Sequence, residues 1–454
     1  MNSSIRIKLS IMMFLQFFVW GAWFTTLGLA LSTNNLSEII GGAYGAVPIA
    51  AMIAPLLLGL ITDRLFNSEK TMGVLHIIGG ILLLIAPSLI SSGKGNLLSW
   101  LIMGHMLCYM PTLALSNTVA FTNIDDRSKF PALRVWGTIG WIVAGLVIGG
   151  LGMSSSPKIF IIGGVSGLGL GVLCFFMPAT PPPAKGKPVN ITTILMLDAF
   201  KMLGNVPFLV FMLCSAAICV PLAYYFAYTS VYLPQIGFQA TASTMALGQM
   251  SEIVFMLLVP FFFRKLGVKI MIIVGMLAWV ARYALFAYGA PEQVVWMIML
   301  GVVLHGICYD FFFVTGFMYT DNKAPKEIRS QAQSLLVFFT QGVGMFFGYK
   351  IAAGSALFPV VSDYTLTPGF TAVQESSDAL AATIEPATFG FWESFGKMFL
   401  TEKPEAAGSI ISDAMSNWKV FWMFPCLMAL VVTVVFAVAF WDKYKEENVE
   451  ENAE

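Results

Sequence analysis

Long apolar runs separated by short polar turns dominate the chain. A bilayer core requires about 20 apolar residues per helix. Runs of that length fall at 9–31, 39–61, 71–91, 97–121, 130–150, 158–178, 206–233, 243–263, 269–288, 294–320, 327–353 and 418–441, which predicts twelve spans in an all-α integral membrane protein. One residue interrupts this pattern sharply: Glu252 is the only charge between Met245 and Phe263. A carboxylate at the middle of a spanning helix costs of order 2.5–3.5 kcal/mol on insertion scales, so it faces a partner or a water-filled path rather than lipid. Trp20, Trp23, Trp100, Trp296, Trp418 and Trp441 lie toward the ends of runs, where aromatic belts form.

Composition agrees with the pattern. Of 454 residues, 57% are hydrophobic and 11% charged, with a mean hydropathy of +0.80; soluble domains carry about 25% charged residues. The formal net charge is zero, so no basic surface points to nucleic acid. The six cysteines are scattered through apolar runs without metal-ligand spacing and read as small buried hydrophobes. The chain has no paired histidines, no nucleophile–base motif and no sizeable soluble domain. It therefore reads as neither enzyme nor receptor, and no cofactor or metal is expected. Residues 9–31 are long enough to span and are followed by further spans, so they read as a retained helix rather than a cleaved signal.

Charge sets the orientation. With the N-terminus inside, the cytoplasmic segments hold 17 of the 25 Lys and Arg residues, the opposite side holds 6, and Arg134 and Arg282 lie within spans. That bias places both termini in the cytoplasm. The regular alternation breaks once, at residues 179–205, where Pro181-Pro182-Pro183, Lys185, Lys187 and Pro188 precede a short helical stretch. The break divides the chain into a first six-helix bundle (1–178), a cytoplasmic linker (179–205) and a second bundle (206–454) carrying a long extracytoplasmic loop at 354–417. A 6+6 layout with a central linker is that of the major facilitator superfamily, whose site lies between two repeated halves. Gly59-Leu60-Ile61-Thr62-Asp63-Arg64, between the second and third spans, resembles that superfamily's short loop signature; Phe263-Arg264-Lys265-Leu266-Gly267 is its degenerate echo. Within the long loop, Phe389 to Leu400 reads as an interfacial helix or an ordered lid. The acidic tail, with Glu446, Glu447, Glu450, Glu451 and Glu454, reads as a solvated end.

Four charged residues lie within spans: Arg134, Glu252, Arg282 and Asp310. For Arg282, on the ninth span, pairing with Asp310 or Glu252 as a packing element is one reading. The others have polar or aromatic company at helical spacing. Arg134, Thr138 and Trp141 share a face of the fifth span, and Gln249 and Glu252 one of the eighth. His305 and Tyr309 share a face of the tenth, with Asp310 adjacent. Pro221, Tyr224 and Tyr228 share a face of the seventh. Four such faces fit a wet cavity: the rings suit stacking on a flat solute, and the amide, carboxylate and guanidinium suit its hydroxyls and ring edges. The absence of a basic cluster argues against phosphorylated substrates. Burial disfavours a charged carboxylate, so such a group can take up and release a proton as access alternates. Glu252 is the first candidate for that role and Asp310 the second. His76 and His105 read as satisfied packing residues.

These segments also carry a family resemblance. Phe14-Leu15-Gln16-Phe17 with Trp20-Gly21, Tyr109-Met110-Pro111-Thr112-Leu113, Arg134-Val135-Trp136-Gly137-Thr138, Gln249-Met250-Ser251-Glu252, Arg282-Tyr283-Ala284 and Asp310-Phe311-Phe312 together resemble the nucleoside:proton symporters of the major facilitator superfamily. The resemblance implies uptake of nucleosides with protons across a bacterial inner membrane, by a monomer surrounded by lipid. It carries the family's pocket onto Arg134, Thr138, Gln249 and Glu252 unchanged. It also implies departures: Trp141 stands where the family has phenylalanine, His305 and Tyr309 where it has tyrosine and phenylalanine, and Pro221 and Tyr224 where it has two amides. The lost amides leave a second reading open, a proton symporter for a sugar or another small ring-shaped solute.

Overall fold

The computed structural model describes residues 3–57, 66–125, 129–182, 192, 195–353, 366–384 and 391–442. The Gly59–Arg64 signature, linker residues 183–191, 193 and 194, and the acidic tail lie outside them. The described residues are almost wholly helical, with a single isolated bridge between Phe238 and Thr401. In chain order come α1 (Ser3–Phe24), α2 (Ile40–Leu57), α3 (Ser68–Ser91), α4 (Gly95–Asn123), α5 (Phe130–Gly150), α6 (Ile159–Cys174) and α7 (Val206–Ile236). A 49-residue helix, Thr241–Gly289, follows; Gly267 breaks it with φ 68° and ψ 175°, giving α8 (241–266) and α9 (268–289). Then come α10 (Val295–Lys323), α11 (Lys326–Ala353), the loop helices α12 (Phe370–Ala381) and α13 (Phe391–Lys397), and α14 (Gly408–Ala439). Ten described helices are long and apolar enough to cross a membrane, counting α8 and α9 as one; α6, at 16 residues, is a shorter apolar helix.

Local chemistry explains the boundaries. Asn205 caps α7 by accepting a 3.2 Å hydrogen bond from the Phe208 N–H, and Pro207 occupies the first turn, where its missing N–H costs nothing. Gly237 ends α7 at φ 112°, a left-handed conformation that a side chain rarely tolerates. A Cβ there would lie 2.6 Å from the Glu402 carbonyl, so glycine also lets the returning loop pair with residue 237.

Residues 366–384 and 391–407 cover one face of the molecule, the loop face. Asp378 of α12 accepts hydrogen bonds from Ser32 (3.3 Å) and Ser37 (3.0 Å), just before α2. Gln235 of α7 donates to Ser377 and accepts from Trp418 Nε1 at 2.7 Å. Below α13, Met398 and Phe395 pack with Ile142 and Leu146 of α5 and Leu247 and Met250 of α8. The part of the expected interfacial helix that is described therefore packs over the α5–α8 junction, with Trp392 still 80% exposed.

Close approach of backbones joins the first and second halves near this face. A Cβ on Gly28 would lie 2.2 Å from the Ala227 carbonyl of α7. On Gly149 of α5 it would lie 2.1 Å from Ser243 Oγ, and on Gly145 3.0 Å from the Ala242 carbonyl. Beside Gly28, whose N–H donates to the Tyr44 hydroxyl at 3.1 Å, Tyr44 of α2 stacks on Tyr349 of α11 with ring centroids 5.3 Å apart.

Candidate functional site

A cavity of about 130 Å³ lies between the halves. Arg134, Thr138 and Trp141 of α5, Gln249 and Glu252 of α8, and His305 and Tyr309 of α10 all line it. Seven residues chosen by helical spacing are thus brought to one place. They project inward because each set shares a helix face whose backbone packs tightly elsewhere: on α5, a Cβ on Gly140 would strike the Phe14 carbonyl at 2.1 Å. The Arg134 guanidinium lies 4.0 Å above the Phe17 ring, within electrostatic reach of Glu252 and Tyr309. The Gln249 Oε1 is buried without a hydrogen-bond partner among the described residues. Trp141 meets Trp20 edge-on at 5.3 Å and Phe24 at 6.2 Å, and Phe24 meets Phe226 at 5.4 Å, so four rings form an apolar box beside the charged groups.

Two residues expected at the site do not reach the cavity. Tyr224 is buried on the opposite side of α7: its hydroxyl bonds Thr367 Oγ1 at 2.7 Å and its ring packs on Phe421 at 5.4 Å. Tyr228 also packs on Phe421, at 4.9 Å. The shared face of Pro221, Tyr224 and Tyr228 therefore belongs to the interior of the second half. Phe226, two residues on and about 200° around the helix, takes the cavity position. Asp310 is fully buried next to Tyr309, and neither carboxylate oxygen has a hydrogen-bond partner among the described residues. One residue rotates it off the cavity face, at the start of a π-helical turn, Asp310–Val314.

Arg282 pairs with neither Asp310 nor Glu252. Its Nε donates to the Gly301 carbonyl at 2.9 Å, and its guanidinium covers the Tyr225 ring at 4.1 Å. A carbonyl and an aromatic ring hold this planar cation where a carboxylate was expected. Tyr225 in turn stacks on His305 at 5.1 Å, which links Arg282 to the cavity wall. His76 bonds Gln16 Oε1 and His105 the Gly79 carbonyl, both at 2.9 Å.

Periodicity missed Phe17, Trp20, Phe24, Val47, Phe226, Gln341, Met345 and Tyr349, all of which line the cavity. Most are ordinary apolar residues whose role depends on which face turns inward. Gln341 did carry a signal, as a lone amide beside Gly342 within an apolar run. A larger cleft of about 550 Å³ opens on the loop face, where Gln235, Gln239, Glu402 and Lys403 are among its lining; it contains none of the expected site residues.

Comparison with known proteins identifies the family. The nucleoside H+ symporter family matches residues 1–374. YegT of Escherichia coli is 36% identical over 452 residues, covering 97% of this chain and 94% of that protein. The xanthosine permease of Escherichia coli is 30% identical, covering 78% and 88%. The crystal structure of a point mutant of the nucleoside transporter NupG aligns with TM-score 0.76 at 25% identity, covering 96% of this chain and all of that one. That likeness carries the major facilitator type of fold, and the family match favours a nucleoside over a sugar as cargo. The chain belongs to the nucleoside H+ symporter family: it is a multi-pass membrane transporter that couples nucleosides to protons, not an enzyme.

Proposed function

We propose that this protein imports nucleosides with protons by alternating access between two six-helix bundles, residues 1–178 and 206–454, joined by the linker 179–205. In this reading α1–α11 and α14 are twelve spans. The lysine and arginine bias puts both termini in the cytoplasm of a bacterium and the loop face outside its inner membrane. The protein works as a monomer among lipids, by analogy with its superfamily.

The observation that carries the proposal is the pairing of halves around one cavity: Arg134 and Thr138 from the first face Gln249 and Glu252 from the second. Guanidinium, carboxylate and hydroxyl together bind sugar hydroxyls, while Trp141, His305 and Tyr309 offer rings to a flat base. Glu252 carries the proton because it is the carboxylate that lines the cavity. Asp310, buried one residue beyond Tyr309 and within electrostatic reach of Glu252, is the second proton-coupling group. The closures at Gly28, Gly149 and Tyr44–Tyr349 correspond to a state shut to the outside. At about 130 Å³ the cavity is below the roughly 300–1,000 Å³ of ordinary small-molecule sites, so a nucleoside is admitted as the halves part.

The test is uptake of labelled nucleoside into proteoliposomes under an imposed pH gradient. Wild-type protein accumulates nucleoside, and Glu252→Gln binds or exchanges it without accumulation. Full concentrative uptake by Glu252→Gln removes Glu252 from proton coupling.

A further inference from the structure

Helix α11 contains a π-helical stretch, Phe338–Gly344, beside the cavity. Such a stretch holds an extra residue per turn and re-aims the side chains that follow it. Here Gln341, Met345 and Tyr349, at i, i+4 and i+8, all face the cavity. The Gln341 amide makes no hydrogen bond to any described residue and stands half-buried in the cavity wall.

Its backbone is held in place. A Cβ on Gly342 would lie 2.6 Å from Met52 Cγ of α2, and one on Gly344 2.3 Å from the Ala216 carbonyl of α7. Thr340 Oγ1 donates to the Leu336 carbonyl at 2.7 Å. The glycines let α11 seat against both neighbours, so the amide is presented from a rigid element. That is how a recognition group discriminates rather than merely adapts.

The position also complements the charged groups. Arg134 and Glu252 belong to the α5–α8 pair, and Gln341 belongs to the α2–α11 pair. With Tyr224 turned away from the cavity and Pro221 on the same buried face, α7 supplies no amide to the cavity, and the amide of Gln249 stands on the Glu252 face of α8. A carboxamide presents one acceptor and two donors, matching the adjacent donor and acceptor on the edge of a nucleobase. The geometry points to Gln341 as the group that reads the base, while Arg134 and Glu252 hold the sugar hydroxyls. This assignment rests on the nucleoside reading above and deepens it: the cargo class is a nucleoside selected by its base edge, through an amide of α11.

The test compares competition by a panel of ribonucleosides and their 2′-deoxy counterparts against labelled nucleoside uptake. Wild-type protein, Gln341→Met and Gln341→Glu are compared in proteoliposomes. Met removes the polar edge at similar length, and Glu keeps the acceptors and removes the donors. Loss of a two-point contact to a base changes relative affinities by at least about fivefold. Gln341→Met therefore compresses the base ranking by that factor, Gln341→Glu reorders it in favour of bases that present an amino group, and the ribose-to-deoxyribose ratio for any one base stays constant in both. A base ranking identical to wild type in both variants, or a changed ribose-to-deoxyribose ratio with the ranking intact, overturns the assignment. Wild-type protein that carries no nucleoside overturns the function reading itself, which the wild-type arm reports separately.

Discussion

Gly28 offers the sharpest test of how the two halves close. It lies in the short helix Leu27–Ser32 after α1, and its missing side chain lets that helix touch α7. A methyl at this position would sit 2.2 Å from the Ala227 carbonyl, whereas ordinary contact begins at 3.4 Å. Gly28→Ala therefore forces the two backbones apart by about 1.2 Å, the difference of those distances. A carbonyl cannot rotate away as a side chain can. The strain is of the order of overpacking, about 1–3 kcal/mol. Under the alternating-access proposal it falls only on the state in which the loop face is closed, because the contact crosses the halves. A bias of that size shifts the balance of closed and open states about 5- to 150-fold toward open. Gly45 of neighbouring α2, where a Cβ would meet nothing within 4 Å, supplies the control Gly45→Ala. The assay is labelling of a cysteine placed at Val47, in the cavity wall, by a membrane-impermeant thiol reagent added outside. Gly28→Ala raises the labelling rate at least about fivefold and lowers maximal uptake, while Gly45→Ala changes neither. Labelling and uptake indistinguishable between the two variants would refute the closure.

Three further outcomes follow from the packing. Burial raises the pKa of Asp378 above 3.8, and hydrogen bonds from Ser37 and Ser32 offset this only in part. Docked α12 therefore holds a proton more tightly than undocked α12, so docking is strongest at and below pH 3.8 and weakens as pH rises through the raised value; hydrogen exchange of residues 370–381, corrected for intrinsic rates, is slower in acid than at neutral pH, and Asp378→Asn removes the dependence. Gln16→Leu takes the acceptor from His76 and the donor, 2.7 Å away, from Thr112, whose hydroxyl still bonds the Tyr109 carbonyl; the His76 ring nitrogen left unpaired costs about 1–3 kcal/mol, seen as a lower thermal midpoint in detergent. Trp141→Phe retains an aromatic platform and transports with nearly unchanged KM, whereas Trp141→Ala loses base stacking worth about 1–3 kcal/mol and raises KM at least about fivefold; equal KM values for both would remove Trp141 from the binding surface.

The site was legible where chemistry is costly. Glu252, Arg134 and Gln249 are polar groups in apolar helices, and their expense alone directs them away from lipid. Thr138, Trp141, His305 and Tyr309 followed because residues three or four apart share a helix face. The same reasoning misplaced Tyr224. Spacing says which residues stand together on a helix, but not whether that face meets the cavity or the packing among neighbouring helices. On α7 both faces are aromatic, and the choice between Tyr224 and Phe226 was made by Phe421 and Thr367, residues distant in sequence. Arg282 shows the same limit: a buried cation needs a partner, yet spacing along the chain does not say whether that partner is a carboxylate, a carbonyl or a ring.

Hydropathy and charge, which are properties of the chain, determined that this protein crosses a membrane many times and carries a polar path through it. They do so because a bilayer penalises every polar group wherever the helices pack. Which polar groups meet was decided only by the tertiary structure. Glycine contacts set how closely the halves approach, the seating of α11 against α2 and α7 brought Gln341 to the cavity, and the packing of α12 and α13 placed the described part of the long loop against both halves. Each of these depends on distances between residues far apart in sequence, which no local pattern encodes.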